Sequence, residues 1–376
     1  MNSFLKNILL LISLIILNIP IFQQEFKLFP DNISLFGSFR KTHDTCLTYS
    51  NWFSGKYQNK KESYLNENFG FRNFTIKLNN QINYSLFNSI NIGEVINGKN
   101  NHLYSNRFFR EYSGRSYRGD QHADSIMQDV KNLKDWLSVR NKKLLVCFTP
   151  CKESFYPEYL PDSCIKNIRP KCYYTEYVKR LKANNISFLD LEKYLKEIKD
   201  TTKGVLYSKV AIHWTTYASA IALDTFFKKI RYDLQKNTNL IKFKTFELSN
   251  IARDSDDDIS KAMNLLENIN RQKFLYPSLE FIYNVDSCFR PKAMIIGDSF
   301  YFGLNNTWAP LSFFSKETYF FYYFKTAITY DPQKKDTHIS AMNFEKELEN
   351  TDIVILFYSV GTLDLFPNDV ASFLHK

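Results

Sequence analysis

The sequence has little of what usually marks a metalloprotein or a nucleic-acid binder. It carries only six histidines in 376 residues. Its six cysteines (Cys46, Cys147, Cys151, Cys164, Cys172 and Cys288) match no zinc-knuckle spacing, and no histidine pair completes a metal site. No RNP, zinc-finger or basic-zipper pattern accompanies the formal charge of +10, so nucleic acid is not an expected partner. Lysine and arginine are spread along the chain rather than clustered. A solvated basic surface of that kind still favours anionic partners such as acidic lipid head groups or an acidic polysaccharide. There is no internal repeat and no low-complexity linker.

A cleavage signal is also missing where one would be looked for. Lys6 precedes an almost wholly apolar run, Ile8 to Phe22. That run suits the core of a signal peptide, but Asn18, Pro20 and Gln23–Gln24 stand where small residues would be needed for cleavage. The segment is apolar on every face, which argues against a core helix. The expectation is an uncleaved single-pass anchor over residues 1–24, with Lys6 cytoplasmic and the rest of the chain exported. Export to an oxidising compartment would let Cys164 and Cys172 bridge a loop. Cys147, inside an apolar run, reads as a buried free thiol.

What is present is globular: 44% hydrophobic and 16% aromatic residues. Residues 25–104 read as a stalk and an N-terminal extension packing on a main domain of residues 105–376. Within the extension, Ile76, Leu78, Ile82, Tyr84 and Leu86 are spaced for a helix, and Val95 to Tyr104 reads as a hairpin about Gly98 to Asn101. Apolar residues at helical spacing then run from Ser125 to Arg140. Lys143 to Thr149 (KLLVCFT) is a continuous apolar run that suits a strand buried on both faces. The alternation continues with helices at Tyr173–Asn184, Tyr217–Leu234, Asp258–Ile269 and Phe344–Asn350. Strands are expected at Ile186–Leu191, Lys292–Gly297, Thr318–Phe324 and Ile353–Tyr358. The acidic run Asp254, Asp256, Asp257 and Asp258 sits where a helix dipole favours it. Such a pattern predicts a three-layer α/β/α domain around a mostly parallel sheet, with ligands bound beyond the carboxyl ends of the strands.

Three stretches carry candidate chemistry. Ile295-Ile296-Gly297-Asp298-Ser299-Phe300 is a strand running straight into Gly-Asp-Ser. A serine at a strand-to-helix turn is exposed at the sheet edge, with its own N–H available to an oxyanion. The competing reading is a helix cap by Asp298 or Ser299, and taken alone the cap has the edge. Among the histidines, His43, His102, His122, His338 and His375 lie in unpromising surroundings. His213, beside Trp214 at a helix entry, is the best base for a serine nucleophile. Lys152, after the first strand, is placed to bind an anionic substrate or steady an oxyanion, although such a lysine is more often an exposed loop residue. Trp214 and Tyr301 join Lys152 as candidates for substrate contact, and the Ser299 backbone as the oxyanion donor.

Together these pieces resemble the alginate O-acetyltransferase group (AlgX/AlgJ-like) of the SGNH-hydrolase-like superfamily. They run in the family's order, from Trp52-Phe53 and Asn66 to Arg72, through Val95 to Lys99 with Leu103-Tyr104, Pro150 to Pro161, His213-Trp214 and Asp256 to Ile259 with Asn264 to Leu266, to Gly297 to Tyr301. The histidine motif precedes the serine motif, as in that family. The resemblance implies a Ser-His-Asp mechanism in which an acetyl group passes to Ser299 and then to a hydroxyl of an exported polysaccharide, with His213 as base and no cofactor. It also implies a membrane-bound O-acyltransferase-type partner supplying acetyl groups, and a catalytic domain on the periplasmic side of the cytoplasmic membrane. One departure stands out. The family's best-studied members place an aspartate two residues before the histidine, and here that position is Ala211. Another acid could orient His213, a dyad could work slowly, or the protein could be a non-catalytic glycan-binding scaffold. A carbohydrate acetylesterase would use the same serine and histidine.

Overall fold

The structure, a computed structural model, describes residues 3–30, 33–37, 42–90, 92–282 and 288–366. His375 and parts of the expected stalk lie outside them. The chain divides into two units. One comprises residues 1–93 with 260–268, the other residues 94–259 with 269–376. The boundary differs from expectation in two ways. The hairpin of residues 95–105 belongs to the larger unit, and a short piece beyond Ile259 belongs to the smaller.

The smaller unit is helical. Its first helix, Ser3–Phe26, extends the apolar run at both ends and is long and apolar enough to cross a membrane. At 1.5 Å per residue its 24 residues rise about 36 Å, against a hydrocarbon core of about 30 Å. The helix expected around Ile76 to Leu86 is Arg72–Phe87, preceded by Tyr49–Phe53 and Lys56–Asn68. Asn264 explains why residues 260–268 group here. Its carboxamide accepts from the Phe36 N–H at 2.7 Å and donates to the Phe36 carbonyl at 3.1 Å. Asn80 adds a bond to the Met263 carbonyl at 3.0 Å.

The larger unit holds the hairpin β1 (Val95–Asn97) and β2 (Leu103–Ser105), then β3 (Lys143–Thr149), β4 (Phe188–Asp190), β5 (Leu240–Ser249), β6 (Phe274–Ile282), β7 (Ala293–Gly297), β8 (Tyr319–Tyr322), β9 (Thr326–Thr329), β10 (Thr337–His338) and β11 (Ile353–Ser359). Seven of these form one sheet in the order β10-β9-β8-β7-β11-β3-β4. Strands β8, β7, β11, β3 and β4 are parallel, and β9 and β10 add an antiparallel edge. All five strands read from the sequence are in this sheet. The two-stranded ribbon β5–β6 was not foreseen.

The apolar run of β3 shows why the sheet is covered on both faces. Successive side chains alternate across a strand. Leu144, Val146 and Phe148 point to one face, with Met294, Ile296, Val354 and Leu356 beside them. There they meet Ile126, Met127, Val130 and Leu133 of helix Asp120–Val139, and Tyr177 and Leu181 of helix Tyr173–Ala183. Leu145, Cys147, Ile295, Ile355 and Phe357 point to the other face. They pack on Leu223, Phe226 and Ile230 of helix Thr216–Leu234. The domain is thus the expected α/β/α arrangement with a mostly parallel sheet. Helix Asp258–Ala262 is shorter than predicted; the chain leaves helical geometry at Asn264, whose φ is 49°.

Cys147 is a buried free thiol, as read. Cys164 and Cys172 are not bridged. Cys164 instead packs beside the small cluster of Tyr104, Phe109 and Leu160, and Cys172 begins helix Tyr173–Ala183 with its Sγ 3.7 Å from Thr175 Oγ1.

Glu111, on helix Asn106–Tyr112, is a buried acid whose Oε2 is bonded to the Ser116 hydroxyl. Its Oε1 has no partner among the described residues. Burial pushes its pKa from 4.5 up to about 8. An acid raised in the fold holds its proton more tightly there than in the unfolded chain. Its contribution is therefore full below about pH 4.5 and lost as the pH rises through about 8. Glu111→Gln mimics the protonated acid. Thermal melts should show a gain of roughly 5–10 °C at pH 9 that disappears at pH 4.5. A gain of equal size at both pH values would contradict this account.

Candidate active site

Gly-Asp-Ser sits at the end of β7, where the parallel sheet opens towards solvent. A Cβ on Gly297 would lie 2.1 Å from the Phe357 carbonyl oxygen, so β7 and β11 approach closely only because this residue has none. Asp298 makes the turn. Its Oδ1 accepts the Phe300 N–H at 2.9 Å, and its Oδ2 accepts the Ser359 N–H at 2.7 Å and the Thr362 hydroxyl. Asp298 therefore caps helix Phe300–Asn305 and ties the ends of β7 and β11 together. Ser299 makes no cap bond. The two readings of this motif belong to two different residues.

The Ser299 Oγ lies 2.7 Å from His213 Nε2. His213 stands two residues before the Thr215 cap of helix Thr216–Leu234, where the Thr215 hydroxyl accepts the Ala218 N–H at 3.2 Å. The imidazole is held from its other side by Asp258. His213 Nδ1 is 2.5 Å from Asp258 Oδ2, and Asp258 Oδ1 accepts the Ile212 N–H at 2.7 Å. Asp256, two residues earlier, accepts the Thr216 N–H at 3.0 Å. The acidic run read as a complement to a helix dipole thus grips the backbone on both sides of the histidine. Asp258 takes the orienting place that the resemblance assigns to position 211. Ala211 is fully buried, and only its carbonyl takes part, as an acceptor.

The electrostatics suit a base. Burial pulls the His213 pKa down, but the hydrogen bond and charge of Asp258, with the charge of Asp298 beyond, outweigh it and leave the pKa above 6.5. The bond to Asp258 assigns the imidazole proton to Nδ1 and leaves the Nε2 lone pair facing the serine hydroxyl.

Tyr323 lies near the serine. It follows β8 in the left-handed region at φ 45°, its N–H donating to the Gly297 carbonyl at 2.9 Å. Burial pushes the pKa of its phenol up, with the nearby Ser299 side chain acting in the opposite direction, so the phenol keeps its proton. Sequence reasoning missed it because the aromatic run Tyr319 to Phe324 reads only as a strand.

Three expected substrate contacts are corrected. Lys152 is fully buried, and its Nζ donates to the carbonyls of Leu103 and Lys209, each at 2.6 Å, and of Ala211 at 3.0 Å. It braces the segment leading to His213 and cannot reach a substrate. Burial lowers the pKa of this amine, against the opposing charges of Glu153 and Asp258. Trp214 is buried under the site, its indole N–H donating to the Phe300 carbonyl at 3.1 Å, and it packs so tightly on Gly303 that a Cβ there would lie 2.3 Å from Nε1. Tyr301 is buried with its hydroxyl 2.8 Å from that of Tyr330. All three support the site from beneath.

Residues 95–276 match the family model described as SGNH hydrolase-like domain, acetyltransferase AlgX. Over that stretch the chain is similar to the acetyltransferase domain of this SGNH hydrolase-like family. The matched stretch, just under half of the chain, includes His213 and Asp258, while Ser299 lies beyond it. Among solved structures, the O-acetyltransferase domain of Pseudomonas putida AlgJ is similar at 15% identity, covering 74% of this chain and 95% of that one with a TM-score of 0.46. Pseudomonas aeruginosa AlgX is similar at 12% identity over 74% of this chain and 65% of its own, with a TM-score of 0.47. Bacillus cereus PatB1 is similar at 14% identity over 72% of this chain and 98% of its own, with a TM-score of 0.41. Likeness at that level adds nothing to the chemistry argued from the residues. No curated protein matches the chain by sequence.

Proposed function

We propose that this acetyltransferase works through an acetyl-serine and passes its acetyl group to hydroxyls of an exported cell-surface polysaccharide. The observation that carries the mechanism is the line Asp258–His213–Ser299, closed at 2.5 and 2.7 Å. In the first half-reaction the Ser299 Oγ attacks the acetyl carbonyl while His213 Nε2 takes the hydroxyl proton. The Ser299 N–H, at the start of helix Phe300–Asn305, is the donor for the oxyanion. Collapse of the tetrahedral intermediate breaks the bond to the donor's leaving group, which takes the proton from His213. In the second half-reaction His213 removes a proton from a sugar hydroxyl, whose oxygen attacks the acetyl carbon. Ser299 leaves with that proton, and the sugar ester is free.

The apolar helix Ser3–Phe26 supports an anchored, single-pass arrangement with the catalytic unit on the periplasmic side. In that location no cytoplasmic acetyl donor is at hand, so a membrane-bound O-acyltransferase-type partner supplies the acetyl group. An acetylesterase would use the same residues with water as acceptor. The full chain in detergent, given p-nitrophenyl acetate, should accumulate an acetyl adduct on Ser299 visible by intact mass. Adding an oligosaccharide acceptor should then yield acetylated sugar. Adduct that turns over only to acetate across a range of acceptors would favour the esterase, and an absent adduct would sink the serine mechanism.

A further inference from the structure

An open cleft of about 510 Å³ lies in the larger unit and includes Thr216, Arg253, Tyr276, Asn306, Thr307 and Trp308 on its walls. Three of its wall residues continue from segments that each carry one member of the catalytic line. Thr216 is three residues beyond His213, Arg253 five before Asp258, and Asn306 ends the helix that begins after Ser299. That helix has six residues and rises about 9 Å, so its far end, at Asn306, carries the cleft about that distance along the helix from Ser299.

Trp308 is the least expected residue in it. It is 69% exposed, although an indole is among the most favourable side chains to bury. It also stands in the left-handed region, at φ 63° and ψ −8°, which bulky side chains avoid. It occupies the N-cap of helix Ala309–Phe313, a position where Ser, Thr, Asp, Asn or Gly is preferred. Every local rule favours a different residue here, and folding gains little from an indole held in water. Strain of this kind is a pointer to function. Arg253 is preset in the same cleft. Its N–H donates to the Tyr276 hydroxyl at 2.7 Å, and its guanidinium lies 4.3 Å from the Tyr276 ring centre. Only its Nη2 is engaged, by Glu247 at 2.8 and 2.9 Å, leaving the other guanidinium nitrogens as donors.

We infer that this cleft is a pyranose subsite for the acceptor glycan, with the sugar's apolar face stacked on Trp308 and its hydroxyls or carboxylate met by Arg253 and Asn306. The inference deepens the proposed transferase reading by placing the acceptor, and it rests on that reading only for the sugar's fate. The chemistry is what an exposed indole beside fixed polar donors recognises: a flat C–H surface ringed by hydroxyls.

The test is binding without turnover. The full chain carrying Ser299→Ala, in detergent, is titrated calorimetrically with hexasaccharides of mannuronate, of glucose and of N-acetylglucosamine. At least one should bind. Adding Trp308→Ala should weaken that binding at least ten-fold, and Trp308→Phe by three-fold or less. Tyr232→Ala, which removes an exposed aromatic outside the cleft, should change nothing. Trp308→Gly should raise the melting temperature, because glycine accepts the left-handed backbone, while binding is still lost. That combination separates a ligand contact from a structural one. No binding of any hexasaccharide, or binding unchanged in Trp308→Ala, overturns the subsite. Binding as predicted with no acetyl adduct on Ser299 in the parent chain keeps the subsite and sinks the serine mechanism instead.

Discussion

Ser299→Ala leaves the protein folded and abolishes the acetyl adduct, with turnover of p-nitrophenyl acetate falling by about 10⁶-fold, the scale seen when a serine nucleophile is removed elsewhere. The melting temperature should stay within a degree or two of the parent. Asp298, not Ser299, caps the following helix and ties β7 to β11, so removing the Ser299 hydroxyl breaks only its bond to His213. Loss of activity accompanied by a collapse in stability would mean that the cap reading had been right after all. Retained turnover, with full stability, would move the nucleophile elsewhere.

Asp258→Asn should lower turnover by about 10⁴-fold while leaving the fold intact, the effect of the equivalent change in serine proteases. An asparagine at 258 can still accept the Ile212 N–H through its carbonyl oxygen, as Asp258 does at 2.7 Å. Its amide would instead donate to His213 Nδ1, driving the imidazole proton to Nε2, where it faces Ser299 and blocks proton uptake. The pH profile gives a second readout. In the parent, His213 must lose its proton to act, so activity should rise as the pH climbs through a value above 6.5. In Asp258→Asn the bond and charge that raise the pKa are gone while burial remains. The residual activity should therefore rise at lower pH than in the parent. The stability linkage has the matching sign: the raised His213 pKa contributes stability that is full below about pH 6.5 and fades as the pH passes the folded-state value. A variant with near-parental turnover and an unmoved profile would show that Asp258 only holds the loop.

Asp258 also marks where sequence reasoning runs out. The expected acid was sought beside the histidine, at Ala211, because a short-range motif is the only kind a single sequence displays plainly. Asp258 lies 45 residues away from His213. It had been noticed as part of an acidic run at a helix start and of a stretch in the family's order, without a role of its own, and the same run proves to hold Ile212, His213 and Thr216. No spacing rule connects those positions. Lys152, Trp214 and Tyr301 failed for a related reason. Their places next to strand ends and motifs were legible, but whether a side chain turns towards the cleft or into the core depends on neighbours from distant segments. Each turned inward and found its partner there: three carbonyls for Lys152, the Phe300 carbonyl for Trp214 and the Tyr330 hydroxyl for Tyr301.

The sequence alone determined the layers of the domain and the two residues that face each other across the site. Continuous apolar runs such as KLLVCFT can be satisfied only by burial on both faces, and helices at 3.6-residue spacing supply the cover, so the order of elements already implies an α/β/α sheet domain. Gly-Asp-Ser after β7 and His-Trp before a long helix are local features, readable because their geometry is set within a few residues. Tertiary structure alone decided the third member of the line, the inward turn of Lys152 and the cleft around Trp308. Each depends on contacts between segments far apart in the chain, and such contacts leave no period or spacing along it.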